Sequence, residues 1–208
     1  MEPKQKTFLT PKEYLEIERK AEFKSEYYNG EMFALAGVKE NHNIITTNLI
    51  VSLSLQLKKN SCRLYHSDMR VRVSETGLYT YPDVVVVCGK TQFEDEEKDT
   101  LLNPTLLIEV LSESTEAYDR GKKFEHYRSI PSLHEYILIS QDHYKIEKYL
   151  RQRDLLVSAM QTVDLKETKQ SLFSGWLFSE ESKPENSIEL TSIRCSLRIS
   201  EVYDKITF

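Results

Sequence analysis

Two acidic residues, Asp83 and Glu109, each stand alone inside an apolar run: Tyr81-Pro-Asp-Val-Val-Val-Val-Cys88 and Leu106-Leu-Ile-Glu-Val-Leu111. An ionised carboxylate is costly to bury without a partner, and an apolar residue would serve either strand better. Two such acids therefore call for a shared cation or another compensating group. With no cysteine or paired histidine beside them, that cation is a hard one. Mg²⁺ takes one or two carboxylates and completes its shell with water or phosphate oxygens, and Mn²⁺ fits the same oxygen set. A cation so held can activate water and neutralise charge on a phosphoryl group. The competing reading puts each acid at a strand end, reaching solvent or a salt bridge.

A basic partner lies further along. The segment from Tyr118 to Arg128 reads as a short helix whose buried face is marked by Phe124 and Tyr127. At about 100° per residue, Lys123 falls roughly 70° from the centre of that face and Lys122 roughly 170° away. Lys123 thus borders the sheet, while Lys122 points to water. Lys123 would polarise an attacking water or offset transition-state charge. The alternative is a surface lysine paired with Asp119 four residues back. Arg120 also points toward the buried face, where it would contact a phosphate or a carboxylate.

The elements that must position these groups follow from pattern. Thr10-Pro-Lys-Glu13 has the form of a helix start with a capping box. Asn29-Gly30 between two strand-like runs predicts a two-residue hairpin in which Tyr28 faces Glu31, Tyr27 faces Met32 and Glu26 faces Phe33. From Glu40 to Lys59, Ile45, Leu49, Leu53 and Leu57 form one helical stripe. Cys62 to Val73 alternates as one strand with an apolar face. The runs holding Asp83 and Glu109 are continuous enough for central strands covered on both faces, and Glu135-Tyr-Ile-Leu-Ile139 is a third. A crossover helix between apolar strands implies a partly parallel sheet. Tyr144 to Leu150 alternates, a turn is predicted at Arg151-Gln-Arg-Asp154, and strand and loop continue through Trp176 and Leu197.

The 208 residues, 39% hydrophobic and 29% charged, suit one soluble domain. We expect a core of about residues 40–140, an N-terminal helix and hairpin at 10–36, and a β-rich extension at 141–208. The polar start and the absence of any span of roughly 20 apolar residues point to a cytoplasmic protein with no membrane partner. Cys62, Cys88 and Cys195 read as buried reduced thiols, since they are odd in number and widely spaced. The net charge of −5 argues against a general nucleic-acid coat protein, but an enzyme can concentrate positive charge locally. The run from Glu94 to Asp99 reads as solvated surface.

The motifs together resemble a known family. Tyr81-Pro-Asp83 and Ile108-Glu-Val110 look like the two acidic motifs of the PD-(D/E)xK nuclease superfamily. More closely, the chain resembles the Uma family of restriction endonucleases. That resemblance spans nearly the whole chain: Ser25-Glu-Tyr-Tyr-Asn-Gly-Glu31, His42-Asn-Ile44, Ser67-Asp-Met-Arg-Val71, Asn103-Pro104, Glu109-Val-Leu-Ser112 and Tyr118-Asp-Arg-Gly-Lys-Lys-Phe124. It implies an α/β, restriction-endonuclease-like mixed central sheet flanked by helices. The superfamily's lysine should stand two residues after the second acid, where this chain has Leu111. In the resembled family the lysine has moved to the following helix, which matches Lys123. The resemblance also points Glu26 into the site, as a further ligand or a residue that positions water. His42 and Asp68 recur in the pattern without an assignable role. Without the family, His42 is a helix N-terminal histidine and Asp68 a partner for Arg70 or Arg72.

The expected function is Mg²⁺- or Mn²⁺-dependent hydrolysis of DNA phosphodiesters, with Asp83 and Glu109 on the metal and Lys123 and Glu26 assisting. Cleavage of a duplex would suit a homodimer. The alternative is a nuclease fold that binds DNA or a protein partner without cutting. A carboxylate-pair glycosidase is disfavoured because the single tryptophan, Trp176, supplies little sugar-stacking surface.

Overall fold

A capping box starts the first helix, α1 (Pro11–Glu18): the Glu13 amide donates to Thr10 Oγ1 and the Thr10 amide to the Glu13 carboxylate. The structure, a computed structural model, describes residues 8–152 and 175–208. The hairpin of β1 (Ser25–Tyr28) and β2 (Glu31–Ala34) has the predicted register, Tyr28 opposite Glu31 and Glu26 opposite Phe33. Asn29 and Gly30 have φ of 47° and 85°, the left-handed pair that a tight hairpin turn requires. This register turns Glu26 inward, where it is buried.

Helix α2 (Glu40–Leu57) carries the stripe Ile45, Leu49, Leu53 and Leu57, all buried. It packs on Val84, Val86, Leu106 and Ile108 from one face of the main sheet. The remaining strands are β3 (Cys62–His66), β4 (Arg70–Val73), β5 (Leu78–Thr80), β6 (Val84–Cys88), β7 (Thr100–Leu101) and β8 (Leu106–Val110). Next come α3 (Glu116–Tyr118), a π-helical turn (Asp119–Lys123) and α4 (Phe124–Tyr127). Strands β9 (Glu135–Ile139), β10 (Ile146–Gln152), β11 (Gly175–Glu181), β12 (Ser187–Leu190) and β13 (Cys195–Arg198), then α5 (Ile199–Val202), complete the described chain.

The main sheet has the order β11-β10-β9-β8-β6-β3, and β2-β1-β5-β4-β7 forms a second sheet. Strands β8 and β9 are parallel, with the α3–α4 crossover between them, while β6 and β8 are antiparallel. The chain is therefore a mixed α/β fold with an N-terminal hairpin and a β-rich C-terminal part. Strand alternation sorts the core onto two faces. Val84, Val86, Leu106, Ile108 and Val110 meet α2 and the C-terminal strands. Val85, Val87 and Leu107 meet Val71, Leu78, Tyr127 and Tyr136. Among the described residues, no helix is long and apolar enough to cross a membrane.

The structure corrects several expectations. The run from Cys62 to Val73 is two strands in two sheets, because the chain turns at Ser67-Asp-Met69, where the Met69 amide donates to the His66 carbonyl. Each half keeps its alternation, so the sequence pattern runs unbroken through the turn. Cys62 and Cys88 are opposed across β3 and β6, with Cα atoms 4.0 Å apart, and form a disulfide; Cys195 stays a free, buried thiol. Their 26-residue separation concealed a cross-strand pairing that only the register creates. The predicted turn at Arg151–Asp154 lies partly outside the described residues, and β10 runs on through Gln152.

The acidic run is not merely solvated either. Arg19, the C-cap of α1, reaches Asp95 and Asp99, each at 2.8 Å; Arg70 reaches Asp99 at 2.9 Å, and Glu94 accepts from Tyr79 at 2.7 Å. Hydrogen bonding from Arg19, with the Arg70 charge adding, holds the Asp99 carboxyl well below the usual carboxylate range. A depressed pKa contributes stability above the ordinary carboxylate range, which is lost as pH falls through it. Asp99→Asn is expected to lower stability at pH 7 and to flatten the acid side of the pH–stability curve, read by urea unfolding. An unchanged acid slope would reject the role.

Candidate active site

Glu109 lies on the face of β8 that it shares with Leu107, and it is 4% exposed. Its Oε1 accepts from the Tyr127 hydroxyl at 2.8 Å and lies 3.0 Å from Lys123 Nζ. Asp83 immediately precedes β6. Because Val84 pairs with Ile108, Asp83 stands across from Glu109 one position beyond the last paired residues. Its Oδ2 accepts from the Val110 amide at 2.8 Å and lies 3.1 Å from His42 Nε2. The two acids read from sequence are thus neighbours, and both line a cleft of about 830 Å³.

Lys123 is 6% exposed, whereas Lys122 is in solvent and pairs with Glu125. The helical-face reading separated these two lysines correctly. Lys123 Nζ lies 3.0 Å from Glu109, 3.2 Å from Glu26 and 3.4 Å from Asp119. Burial alone would pull its pKa down. The Glu109, Glu26 and Asp119 carboxylates outweigh that and hold it well above the usual lysine value. Lys123 is therefore held as an ammonium. Glu26 reaches it from β1, and its own oxygens also accept from Thr80 and, at 3.4 Å, from Tyr118.

Glu109 shows the opposite pressure. Burial pushes its carboxyl up to about 8; Lys123 pulls it down, while Asp119 and Asp83 add to the rise. Asp119 is also raised, chiefly by burial. It is 3% exposed, and its Oδ1 has the Lys123 ion pair but no hydrogen bond. Sequence reasoning treated Asp119 only as a possible surface partner of Lys123. The signal was available: Asp119, Lys123 and Tyr127 recur every four residues, so they share one helical stripe, and that stripe faces Glu109. The π-helical turn from Asp119 to Lys123 could not be read from the sequence; such turns often mark functional sites. Tyr127, read only as a core marker, uses its hydroxyl on Glu109.

Two other candidates do not reach the cluster. Arg120 lies on the far flank of the crossover, where it pairs with Glu116 at 2.7 Å and with Glu147 of β10. The wider π turn and the nearby Glu147 explain its departure from the buried face. Asp68 is exposed on the β3–β4 turn and pairs with Lys24 at 3.0 Å, since Arg70 and Arg72 are engaged by Asp99 and Glu94.

The donor set fits a hard cation. Asp83 and Glu109 offer carboxylate oxygens only, and no hydrogen bond from a described residue occupies Asp83 Oδ1 or Glu109 Oε2. Among the described residues, no three acidic, histidine or cysteine side chains are grouped to hold a metal. A cation here would rest on the Asp83–Glu109 pair, with water and substrate oxygens completing its shell.

Residues 11–178 match the family model Uma2, described as "Putative restriction endonuclease". Two proteins of Synechocystis sp., both named only as uncharacterized, are similar. The protein sll1609 is 41% identical over 146 residues, covering 70% of this chain and 82% of that one. The protein slr1290 is 36% identical over 200 residues, covering 96% of this chain and 94% of that one. A crystal structure from Anabaena variabilis, described as "a putative nuclease belonging to DUF820", aligns with a TM-score of 0.69 at 17% identity. It covers 96% of this chain and 99% of its own, a likeness of fold.

Proposed function

The chain belongs to the Uma2 family, and from that premise we propose that it is a metal-dependent endonuclease hydrolysing DNA phosphodiester bonds. The observation that carries this reading is the convergence of Asp83, Glu109 and a buried, permanently charged Lys123 on one cleft. Asp83 Oδ1 and Glu109 Oε2 would hold Mg²⁺ or Mn²⁺. When bound, the ion supplies charge neutralisation at the phosphoryl group and a more acidic water.

The chain's own groups do the rest. Lys123 places a fixed positive charge beside Glu109, where it offsets the negative charge that develops on the phosphate. Glu26 and Asp119 hold that ammonium in place, and the Tyr127 hydroxyl holds Glu109. Burial keeps bulk water from screening these interactions. Cutting both strands of a duplex would require two such sites, which a homodimer acting on DNA in the cytoplasm would bring together.

The test is cleavage of supercoiled plasmid with Mg²⁺ or Mn²⁺, paired with Mn²⁺-soaked crystals. A density peak between Asp83 and Glu109 together with nicked or linear product is expected. No peak and no cleavage would reject the proposal. A peak and DNA binding without cleavage would favour the non-cutting reading.

Glu109 adds a pH signature. Burial pushes its carboxyl up to about 8, so protons compete with the metal for Glu109 as pH falls below that value. Mn²⁺ affinity is expected to rise with pH, by at most about tenfold per unit, and to level off above about pH 8. Calorimetry from pH 6 to 9 in buffers of different ionisation enthalpy measures both the trend and the released proton. A flat affinity would reject the coupling.

A further inference from the structure

The geometry points to His42 as a positioning residue that fixes the orientation of Asp83 and so presents its free oxygen to the cation; this rests on the metal-dependent reading above. The argument begins on α2. His42 lies three residues ahead of Ile45, at the start of the stripe that continues through Leu49, Leu53 and Leu57 onto the sheet. The stripe extends past the N-terminal end of β6. Its first member therefore overshoots β6 and lands beside Asp83, the residue just ahead of that strand.

His42 is 7% exposed, and its Nε2 lies 3.1 Å from Asp83 Oδ2. A carboxylate oxygen only accepts, so Nε2 carries the hydrogen. Among the described residues, its Nδ1 has only a 3.5 Å approach to Thr46 Oγ1, whose hydroxyl already donates to the His42 carbonyl at 2.8 Å. The strong partner of the imidazole is thus Asp83.

Oδ2 therefore takes two donors from different elements, the Val110 amide on β8 and the imidazole on α2. The terminal torsion of an aspartate is broad and roughly two-fold. One donor would leave the carboxylate free to pivot about a single bond. Two donors set it, and both engage the same oxygen, so Oδ1 is left facing the cleft. Val110 follows Glu109 directly, so the amide also ties the orientation of one acid to the strand carrying the other. Residues that hydrogen-bond metal ligands in this way typically change metal affinity when removed. If His42 were only a well-packed buried histidine, its loss would lower stability and leave metal affinity alone.

The experiment compares Mn²⁺ binding by calorimetry and thermal unfolding without metal for wild type, His42→Leu and His42→Gln. His42→Leu is expected to lose about 10–100-fold in affinity. His42→Gln, whose amide N–H has similar reach, should restore most of it at an unfolding temperature like that of His42→Leu. Wild-type affinity in His42→Leu, or equal losses in both variants, would overturn the assignment. If His42→Leu fails to fold, His42→Gln is compared with His42→Asn, whose amide stops short of Asp83. Retention in the first and loss in the second supports the role, and equal affinities overturn it. Wild-type protein that binds no Mn²⁺ would instead overturn the metal reading itself.

Discussion

Asp83→Ala is expected to abolish Mg²⁺-dependent DNA cleavage while leaving the protein folded. The size follows from what the pair is asked to do. A cation that stabilises transition-state charge contributes several kcal/mol, and about 4 kcal/mol corresponds to about a thousandfold in rate. Removing one of two carboxylate ligands should cost at least that much. The fold is spared for local reasons. Asp83 precedes β6 rather than lying within it, and its side chain is 15% exposed at the cleft. The Val110 amide and His42 lose an acceptor, but cleft water can replace it. Single-turnover cleavage of plasmid, with unfolding curves for both proteins, measures the two effects separately. Equal cleavage by variant and wild type would remove Asp83 from the site.

Lys123→Met should give the largest loss of stability of any single change in the cluster. Glu26, Glu109 and Asp119 are 6%, 4% and 3% exposed and share this one ammonium. Breaking a buried ion pair from one side costs about 3–5 kcal/mol, because the partner charge is left uncompensated. The sign with pH is definite. Without the ammonium, the folded-state pKa values of Glu109 and Asp119, already raised by burial, rise further above their unfolded values. Groups shifted that way contribute stability that is present at low pH and lost as pH rises. The penalty of Lys123→Met should therefore be largest near pH 8 and shrink toward pH 5. Urea unfolding at both values measures it, and an equal penalty at both would reject the buried ion cluster. Lys122→Met is the control: the Lys122 side chain is 75% exposed and pairs with Glu125 at the surface. Cleavage should also fall in Lys123→Met at saturating Mn²⁺, which separates loss of the fixed charge from loss of metal binding.

The chain's local signals were read well where one segment carries the whole cause. Asn29-Gly30 forces two left-handed residues, so the hairpin register followed, while the inward turn of Glu26 came from the family resemblance. Thr10 and Glu13 hold each other within one turn of α1. The stripe on α2 and the choice of Lys123 over Lys122 depend only on helical period. The two lone acids in apolar strands marked the cleft, because burial of an unpaired carboxylate is costly whatever the surrounding fold.

Tertiary structure decided most partnerships between distant segments. That Cys62 meets Cys88, that β3 and β4 join different sheets, and that Arg120 turns to Glu147 all depend on long-range register. The Glu94–Asp99 run reads as solvated surface, but Arg19 at the end of α1 and Arg70 on β4 hold it. Asp119 enters the cluster through a π turn, and His42 meets Asp83 because α2 extends past the start of β6. Hydrophobic period says which way a side chain faces, since that is a property of one element's backbone. What it meets there is set by how separate elements slide and pack against one another, and no single segment encodes that offset.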